Sequence, residues 1–375
     1  MQKKKNQILA IFSDVNFSPQ LVAILQELKN NGGTFRVILI GEKELIIAKQ
    51  IKALGWDLVI IRKRRKFGSA LNLLLICFQI LTYQPRVLFA SGQFATAIGM
   101  LSAKLLNVPL RIFIRHHSSF HHKYKMKLGI WLDKMANRMA THIVAVSTVV
   151  KNILISSESA NSKKIRLIYN GVELAKFRNS NRNMPELYDQ NVSAEGFFNI
   201  GVISRLTEWK GVVYIAEAFV RLQKEFPNSR LHVVGAFSDS YSTVIDILSP
   251  IDQDLYTLKN EISDIPNFLR GLDAFVHVPV GPDDEAFGIV YIEALASGIP
   301  CIFTRSGILN ELGDPHKYAR IVGFRNSEEI YLNLKELIQG TCAPKITVPD
   351  SWLSQFSLEV MAKGYSNILL GEADS

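Results

Sequence analysis

The chain has 375 residues, of which 48% are hydrophobic and 21% are charged. This length and balance predict a soluble globular protein with two domains, each large enough to have its own core. The three cysteines, Cys77, Cys301 and Cys342, show no C-x-x-C spacing. Their arrangement argues against structural disulfides and cysteine-based zinc sites, and it indicates a reducing cytoplasm.

Two apolar segments bear on targeting. The basic N-terminus is followed by the short run Ile8–Phe12, which is too short for the core of a signal peptide and predicts a first strand. The longest apolar stretch, Leu71 to Tyr83, is shorter than the roughly 20 residues that a membrane span needs. We therefore expect it to form a buried helix.

Charge is distributed unevenly along the chain. Residues 1–195 carry 29 Lys and Arg against 11 Asp and Glu, a net +18, whereas residues 196–375 carry 14 against 23, a net −9. This split predicts that the two halves have different partners. Basic clusters lie at Lys3 to Lys5, Arg62 to Lys66 and Lys123 to Lys127, and each cluster alone is better explained as a solvated face. The asymmetry of the whole half favours an anionic membrane surface and a peripheral position at the inner face of the cell membrane.

Nucleic acid is the alternative partner that a pI of about 9.3 suggests. The basic residues lack the interleaved aromatic side chains on which single-stranded bases stack. The acidic second half would also repel a phosphate backbone. We therefore expect no nucleic-acid binding.

The first half alternates short apolar strands with amphipathic helical segments. The helix predicted at Pro19–Asn30 has Ser18 as its N-cap and proline at its first position. Because the strands are apolar on both faces, they predict a parallel sheet covered by helices. Strands are predicted at Ile8–Phe12, Phe35–Ile40, Leu58–Ile61, Val87–Ala90, Leu110–Ile114, Ile143–Ser147 and Ile165–Tyr169.

A polar segment from about Glu173 to Gly196 interrupts this alternation, which then resumes. In the second half, strands are predicted at Asn199–Ser204, Arg230–Val234, Ala274–Val278 and Pro300–Thr304, and helices at Val212–Glu225 and Ile289–Ser297. Two such series predict two doubly wound α/β domains, residues 1–180 and 181–353. A C-terminal helix at 354–375 follows, with Phe356, Val360, Tyr365 and Leu369 as its apolar face.

The segment Asp284 to Pro300 contains two glutamates, Glu285 and Glu293, on either side of Phe287 and Gly288. The glycine permits close approach of the backbone to a ligand, and the helix that starts after it offers free N–H groups to an anion such as a diphosphate. A carboxylate accepts two hydroxyl donors at once, as a vicinal diol presents them. Paired carboxylates alone are usually solvated surface groups, so the residues by themselves predict only an anion site at the start of this helix.

Two cations, Arg205 and Lys210, lie on the loop after the first strand of the second half. Cations at the carboxyl end of a strand suit a diphosphate, arginine through its planar fork and lysine as a point charge. Taken alone, the pair is better explained as ordinary surface cations. A dehydrogenase is disfavoured because no G-x-G-x-x-G follows Ile8–Phe12.

Four histidines occur between Arg115 and His122, after the strand Leu110–Ile114. Such a cluster suggests zinc, but no cysteine or carboxylate lies nearby in the sequence, so we expect no metal. Strand alternation points His116 and His117 to opposite faces, and from the sequence alone one or both could be ordinary polar loop residues.

The segment Gly201–Gly211 and the glutamate segment, in this order, resemble the donor-binding motifs of the retaining glycosyltransferases of family 4, with their E-x(7)-E signature. Ala145 to Ser147 and Tyr169 to Val172 match further elements of that family. The resemblance implies the GT-B fold, in which two Rossmann-like domains face each other across a cleft and the C-terminal helix crosses back to the first domain.

The resemblance also implies roles for individual residues. Glu285 would meet hydroxyls of the donor sugar, Glu293 the ribose, and Arg205 with Lys210 the diphosphate. One of the two histidines, His116 or His117, would lie near the donor sugar. Further donor contacts would come from Phe287, Gly288, Ile289, Ser306 and Gly307.

The implied reaction moves a sugar from a UDP- or GDP-sugar to a lipid-linked or other cell-envelope glycan, with no cofactor and no metal. The family often has a glycine-rich loop after the first strand, whereas this chain has Ser13 to Ser18 there, without glycine. The alternative is a non-catalytic GT-B-like protein that binds sugar nucleotides or glycans.

Overall fold

The structure, a computed structural model, describes residues 7–41, 45–63, 68–178, 196–340 and 348–371. The boundary predicted between residues 180 and 181 lies outside these residues. So do Cys342, the cluster at Lys3 to Lys5 and most of the cluster at Arg62 to Lys66. The chain divides into two compact units: unit 1 comprises residues 1–171 and 356–375, and unit 2 comprises residues 172–355.

Unit 1 is built on a seven-stranded parallel sheet with the order β3-β2-β1-β4-β5-β6-β7. Its strands are β1 (Gln7–Ser13), β2 (Thr34–Ile40), β3 (Asp57–Ile61), β4 (Val87–Ser91), β5 (Leu110–Arg115), β6 (His142–Ala145) and β7 (Ile165–Leu167). Its helices are α1 (Pro19–Asn30), α2 (Ile46–Ala53), α3 (Gly68–Tyr83), α4 (Gln93–Leu105), α5 (Phe120–Lys123), α6 (Lys127–Met139), α7 (Thr148–Ser156) and α15 (Leu358–Leu370).

The strand order reverses direction between β1 and β4, which assigns the helices to two layers. Since parallel crossovers are right-handed, α1 and α2 cover one face of the sheet, and α3, α4 and α6 cover the other. Helix α15 packs on α1, and Asn31 Nδ2 donates to Ser366 Oγ over 3.1 Å. The C-terminal helix therefore belongs to the same unit as the first strand.

Two predictions about helix faces need correction. Phe356, Tyr365 and Leu369 are buried as predicted, but Val360 is 52% exposed and Met361 is buried instead. The reason is a short 3₁₀ turn at Ser354–Phe356, after which α15 begins anew at Leu358 and changes the phase of the apolar face. The apolar stretch that we expected to form a buried helix is α3, and much of its side-chain surface is exposed.

Unit 2 is built on a six-stranded parallel sheet with the order β10-β9-β8-β11-β12-β13. Its strands are β8 (Phe198–Ile203), β9 (Ser229–Val234), β10 (Tyr256–Lys259), β11 (Ala274–His277), β12 (Cys301–Thr304) and β13 (Arg320–Val322). Its helices are α8 (Leu174–Arg178), α9 (Val212–Glu225), α10 (Tyr241–Leu248), α11 (Ile265–Arg270), α12 (Ile289–Ser297), α13 (Ser327–Ile338) and α14 (Asp350–Leu353).

The predicted fold class, two doubly wound α/β domains, is confirmed. In unit 2 the strand order reverses between β8 and β11. Ligands of such sheets bind outside the carboxyl ends of the strands at this reversal, where the loops that carry Lys210 and Glu285 begin. No helix of the residues described here combines the length and the apolar character that crossing a bilayer requires.

Candidate active site

The loop after β8 is held against the end of β11. Gly211 has φ +71°, and a Cβ on it would lie 2.1 Å from Val278 O, so only glycine fits between the loop and the strand end. The N–H of Val280 donates to Trp209 O over 3.0 Å. These contacts place Lys210 beside the carboxyl end of β11.

Three side chains meet at this edge of the sheet. Lys210 Nζ forms an ion pair with Glu285 Oε1, and His277 Nε2 lies 2.9 Å from the same oxygen. The structure thus brings together two of the predicted residues, Lys210 and Glu285. His277 was not predicted, and its only sequence signal is its position at the end of β11.

Charge and burial fix the protonation of this cluster. Burial alone would raise the pKa of Glu285, but the charge of Lys210 and the hydrogen bond from His277 outweigh burial and lower the pKa to about 2. Burial lowers the pKa of His277, so its imidazole is neutral. Its buried Nδ1 has no partner among the described residues, so Nε2 carries the proton and donates to the carboxylate.

One oxygen of Glu285 is left for a ligand. Both donors contact Oε1, and no described residue donates a hydrogen bond to Oε2. The side chain is 12% exposed. A carboxylate held by two donors on one side presents a fixed acceptor on the other, which suits hydroxyl groups.

Ser306 and Gly307 pack against the loop that carries Glu285 and hold it in place. Ser306 Oγ accepts from the N–H of Glu285 over 3.1 Å and donates to Gly281 O over 2.7 Å. Gly307 has φ +55°, a Cβ on it would lie 2.7 Å from that of Glu285, and its N–H already donates to Pro282 O. Their direct contact with a donor stays a prediction, whereas their support of the loop is a feature of the fold.

The start of α12 offers free amides. Gly288, the N-cap residue, has φ +83°, and a Cβ on it would lie 2.4 Å from the ring of Tyr291. The part of the chain that the structure describes provides no acceptor for the N–H of Gly288 or Ile289. The preceding Phe287 is buried and anchors the turn. Free N–H groups at a helix start attract anionic oxygens.

Glu293 lies further along α12 and is partly buried. No donor within the described residues contacts its carboxylate, and burial raises its pKa to about 7. A buried carboxylate without a partner is unfavourable, and ligand hydroxyls would relieve this. Arg205, by contrast, is exposed, with its guanidinium 6.0 Å from the centre of the Trp209 ring.

In unit 1 the two candidate histidines have different partners. His116 Nε2 lies 3.1 Å from Ser91 Oγ at the end of β4. His117 Nε2 lies 3.2 Å from Asp133 Oδ2 on α6. Both histidines line one pocket together with Gly92. The carboxyl ends of β4 and β5 therefore form a small polar recess in unit 1.

Asp133 is the carboxylate that the sequence analysis did not expect near these histidines. Its oxygens, with the ring nitrogens of His117 and His121, lie within 4.8 Å of one another. Arg115 pairs with Asp133 over 2.9 Å and also with the buried Glu158. Burial would raise the pKa of Asp133, but a hydrogen bond from His117 and the charge of Arg115 lower it to about 2.

This cluster explains how the histidine loop is held. Arg115 Nε donates to His117 O over 3.2 Å, and His121 Nδ1 lies 2.6 Å from Asp133 Oδ2. The guanidinium of Arg115 lies against both oxygens of Asp133, so a cation bound at this carboxylate would face a like charge at close range. The absence of a metal stays a prediction.

Two family models match the chain, one for each half. The model described as "Glycosyltransferase Family 4" matches residues 21–176, and the model described as "Glycosyl transferases group 1" matches residues 183–345. The chain belongs to the family 4 glycosyltransferases.

Among curated relatives of this chain is the capsular polysaccharide biosynthesis glycosyltransferase CapM of Staphylococcus aureus, 27% identical over 59% of each chain. Another is the Escherichia coli UDP-Gal:alpha-D-GlcNAc-diphosphoundecaprenol alpha-1,3-galactosyltransferase, 26% identical over 55% of this chain and 54% of the relative. The chain thus spans about half the length of the curated relatives it matches.

Solved structures extend the likeness over nearly the whole chain. Anabaena Alr3699/HepE in complex with UDP-glucose has a TM-score of 0.80 at 17% identity, over 97% of this chain and 99% of that one. WaaG, a glycosyltransferase involved in lipopolysaccharide biosynthesis, has a TM-score of 0.70 at 12% identity, over 97% of this chain and 100% of that one. The predicted GT-B fold class is confirmed.

Proposed function

We propose that this protein transfers a sugar from a UDP-sugar to a lipid-linked or other cell-envelope glycan, with retention of anomeric configuration and without a metal. The observation that carries the proposal is the Lys210–Glu285–His277 cluster, which holds an open carboxylate oxygen next to a cation. A carboxylate oxygen that accepts hydrogen bonds from hydroxyls, next to a cation, suits a sugar attached to a diphosphate.

The relatives support the choice of donor and acceptor. The Escherichia coli relative is named for UDP-Gal and an undecaprenol diphosphate acceptor, and CapM for capsular polysaccharide. HepE has been solved with UDP-glucose. These names favour a UDP-sugar over a GDP-sugar and an acceptor that carries a lipid diphosphate, which also suits the net positive charge of the first half.

The proposed reaction breaks the bond between the anomeric carbon and the diphosphate oxygen before the acceptor attacks. The electron pair stays on the diphosphate, where Lys210, Arg205 and the free N–H groups of Gly288 and Ile289 meet the developing charge. The acceptor hydroxyl then bonds to the anomeric carbon on the face that the diphosphate leaves. Its proton passes to an oxygen of the departing diphosphate.

Glu285 and Glu293 bind and orient the donor in this scheme. Glu285 Oε2 accepts from sugar hydroxyls while Lys210 and His277 hold Oε1. Glu293 accepts from the ribose diol, which supplies the hydrogen-bond donors that its carboxylate lacks. Cations and amides that stabilise the leaving diphosphate replace the metal that other phosphate chemistry uses.

The test is a thermal-shift screen against UDP-, GDP-, ADP- and dTDP-sugars in EDTA. A ligand that binds the folded state raises the midpoint by mass action. We expect a selective shift with one UDP-sugar, which Glu293→Ala abolishes and Glu217→Ala, on the exposed face of α9, leaves intact. Product formation with an undecaprenyl diphosphate sugar, and its anomeric coupling by NMR, then test transfer and retention.

Other outcomes distinguish the alternatives. Binding without turnover on any lipid-linked acceptor would favour a non-catalytic sugar-nucleotide-binding protein. Restoration of turnover only by a divalent cation would overturn the metal-free part of the proposal. A shift by a GDP-sugar alone would overturn the choice of donor.

A further inference from the structure

Helix α3 turns an apolar face outward. Its exposed large side chains are Leu71, Leu74, Leu75, Phe78 and Leu81, with Leu74 65% exposed. The spacing follows the turns of a helix, and the helix has no charged residue from Gly68 to Tyr83. A soluble amphipathic helix shows the reverse arrangement, so this stripe, which we call the α3 stripe, requires a partner.

The neighbouring helices extend the same surface. Helix α3 packs on α4 and α4 packs on α6, so all three lie in one layer on one face of the sheet of unit 1. At the start of α6, Leu128 is 69% exposed and Trp131 is 56% exposed. The outward side of this layer therefore has large apolar side chains on two of its helices.

This layer is also basic. Lys127 is exposed at the start of α6, Lys123 and Lys125 are exposed at the end of α5 and just after it, and Lys104 is exposed at the end of α4. From residue 58 to residue 157 the only acidic residue is Asp133, which is buried and paired with Arg115. Apolar side chains beside unbalanced lysines favour an anionic bilayer surface.

We propose that the α3 stripe, with Leu128 and Trp131, enters the boundary between headgroups and acyl chains of an anionic membrane, while the lysines contact lipid phosphates. This inference builds on the proposed function, because a lipid-linked acceptor requires access to a bilayer. A second copy of the chain is a less favourable partner for the α3 stripe than a membrane. A symmetric interface would set the lysines of this layer against one another.

The first experiment is co-sedimentation of the full chain with vesicles, in the absence of sugar nucleotide. We expect binding to mixed phosphatidylglycerol–phosphatidylcholine vesicles to be at least about tenfold tighter than to phosphatidylcholine alone, since each lysine near an anionic surface contributes. The double variant Leu74→Gln/Phe78→Gln should lose about tenfold or more of this binding. The matched control Leu332→Gln/Val360→Gln replaces equally apolar, exposed residues elsewhere and should keep it.

A second pair of variants tests the charge. Lys125→Gln/Lys127→Gln should weaken binding to the mixed vesicles by about tenfold and leave the weak binding to phosphatidylcholine unchanged. Lys49→Gln/Lys52→Gln removes two exposed lysines from α2, on the other face of the sheet. This control should bind like the wild type.

The fluorescence of Trp131 reports contact with the membrane. It is measured on the wild-type protein, so it does not depend on whether a variant folds. Trp131 is the exposed member of the four tryptophans, since Trp56 is buried and Trp209 and Trp352 are partly buried. Its emission should shift to the blue with mixed vesicles and be quenched by brominated lipid. Trp131→Phe should remove both changes while sedimentation with vesicles persists.

Three results would overturn the inference. They are equal binding to neutral and anionic vesicles, failure of the wild type to bind either, and a dimer in solution that Leu74→Gln/Phe78→Gln dissociates. The last result would assign the α3 stripe to a second copy of the chain. Since vesicles and sugar nucleotides are tested separately, failure here leaves the proposed function untouched, and the reverse also holds.

Discussion

The Nε2 atom of His277 lies 2.9 Å from Oε1 of Glu285, at the buried carboxyl end of β11. The imidazole is neutral and donates its single proton to the carboxylate. Lys210 contacts the same oxygen, so the carboxylate is fixed by one charged and one neutral donor. In the proposed reaction His277 is therefore a positioning residue, which acts on the donor through Glu285.

Replacement of His277 by phenylalanine should lower kcat/KM about tenfold or more, because Glu285 loses one of its two donors. The loss also raises the pKa of Glu285 from about 2, so the acidic limb of the pH–rate profile should move to higher pH. His277→Gln keeps an N–H donor and should restore most of the activity. An unchanged pH profile in His277→Phe would contradict the positioning role.

Lys210→Ala should reduce kcat by about a hundredfold or more, while the Kd of the UDP-sugar rises only a few fold. The reason is that charge on the diphosphate grows as the glycosidic bond breaks, so the ammonium group stabilises the transition state more than the bound donor. Single-turnover kinetics and thermal-shift titration measure the two quantities. Equal losses in both would show uniform binding instead. Lys224→Ala, exposed on α9, is the control.

Glu293→Gln should stabilise the protein at pH 8 and leave its stability nearly unchanged at pH 4.5. The folded protein raises the pKa of Glu293 to about 7 from 4.5, so folding favours the protonated form. The stability that this proton contributes is complete below about pH 4.5 and is lost as the pH rises through 7. The full effect is roughly 3 kcal/mol, or about 5 °C or more in the midpoint.

Scanning calorimetry at the two pH values measures this difference. The same variant should bind the UDP-sugar more weakly, because an amide offers one acceptor oxygen to the ribose where a carboxylate offers two. Glu217→Gln should change the midpoint little at either pH. If the thermal midpoint of Glu293→Gln equalled that of the wild type at both pH values, Glu293 would be solvated in the folded protein.

Asp133→Asn should lower the thermal midpoint, at a cost of about 3 kcal/mol, because the NH2 group of the buried amide would face the N–H donors of Arg115 and the histidine rings that contact the carboxylate. Asp57→Asn breaks an exposed ion pair with Arg36 and should cost less than about 1 kcal/mol. Calorimetry of both variants tests the contrast. Equal shifts would mean that the Arg115 cluster is not a structural element of unit 1.

The sequence predicted the central elements and the edges of the first sheet well, and the edge strands of the second sheet poorly. Helices α1, α9 and α12 have the predicted bounds because caps and glycines mark their ends. Strands β10 and β13 were not predicted. They are edge strands of four and three residues, with half-buried side chains that give no apolar run.

The site was predictable only where residues are close in sequence or match a family motif. Lys210 and Glu285 were predicted through their motifs, whereas the Arg115 cluster draws Asp133 and Glu158 from separate helices and loops. A trace of it was present in α6, where Asp133 and Asn137 stand one turn apart on the buried face. Polar residues on the inner stripe of a helix indicate a buried network.

Unit 1 takes its last helix from the end of the chain. Helix α15 packs on α1, and Tyr365 contacts Phe89 of β4 with ring centroids 5.9 Å apart. A Cβ on Gly171 would lie 2.8 Å from Leu358 Cα, so the start of α15 packs directly against Gly171, the residue at which the chain leaves unit 1. On the ribosome, the first unit to begin synthesis is therefore the last to be completed. Until α15 is synthesised, the side of α1 that it covers and the ring of Phe89 lack this packing partner, so unit 1 completes its core only after unit 2 has been made.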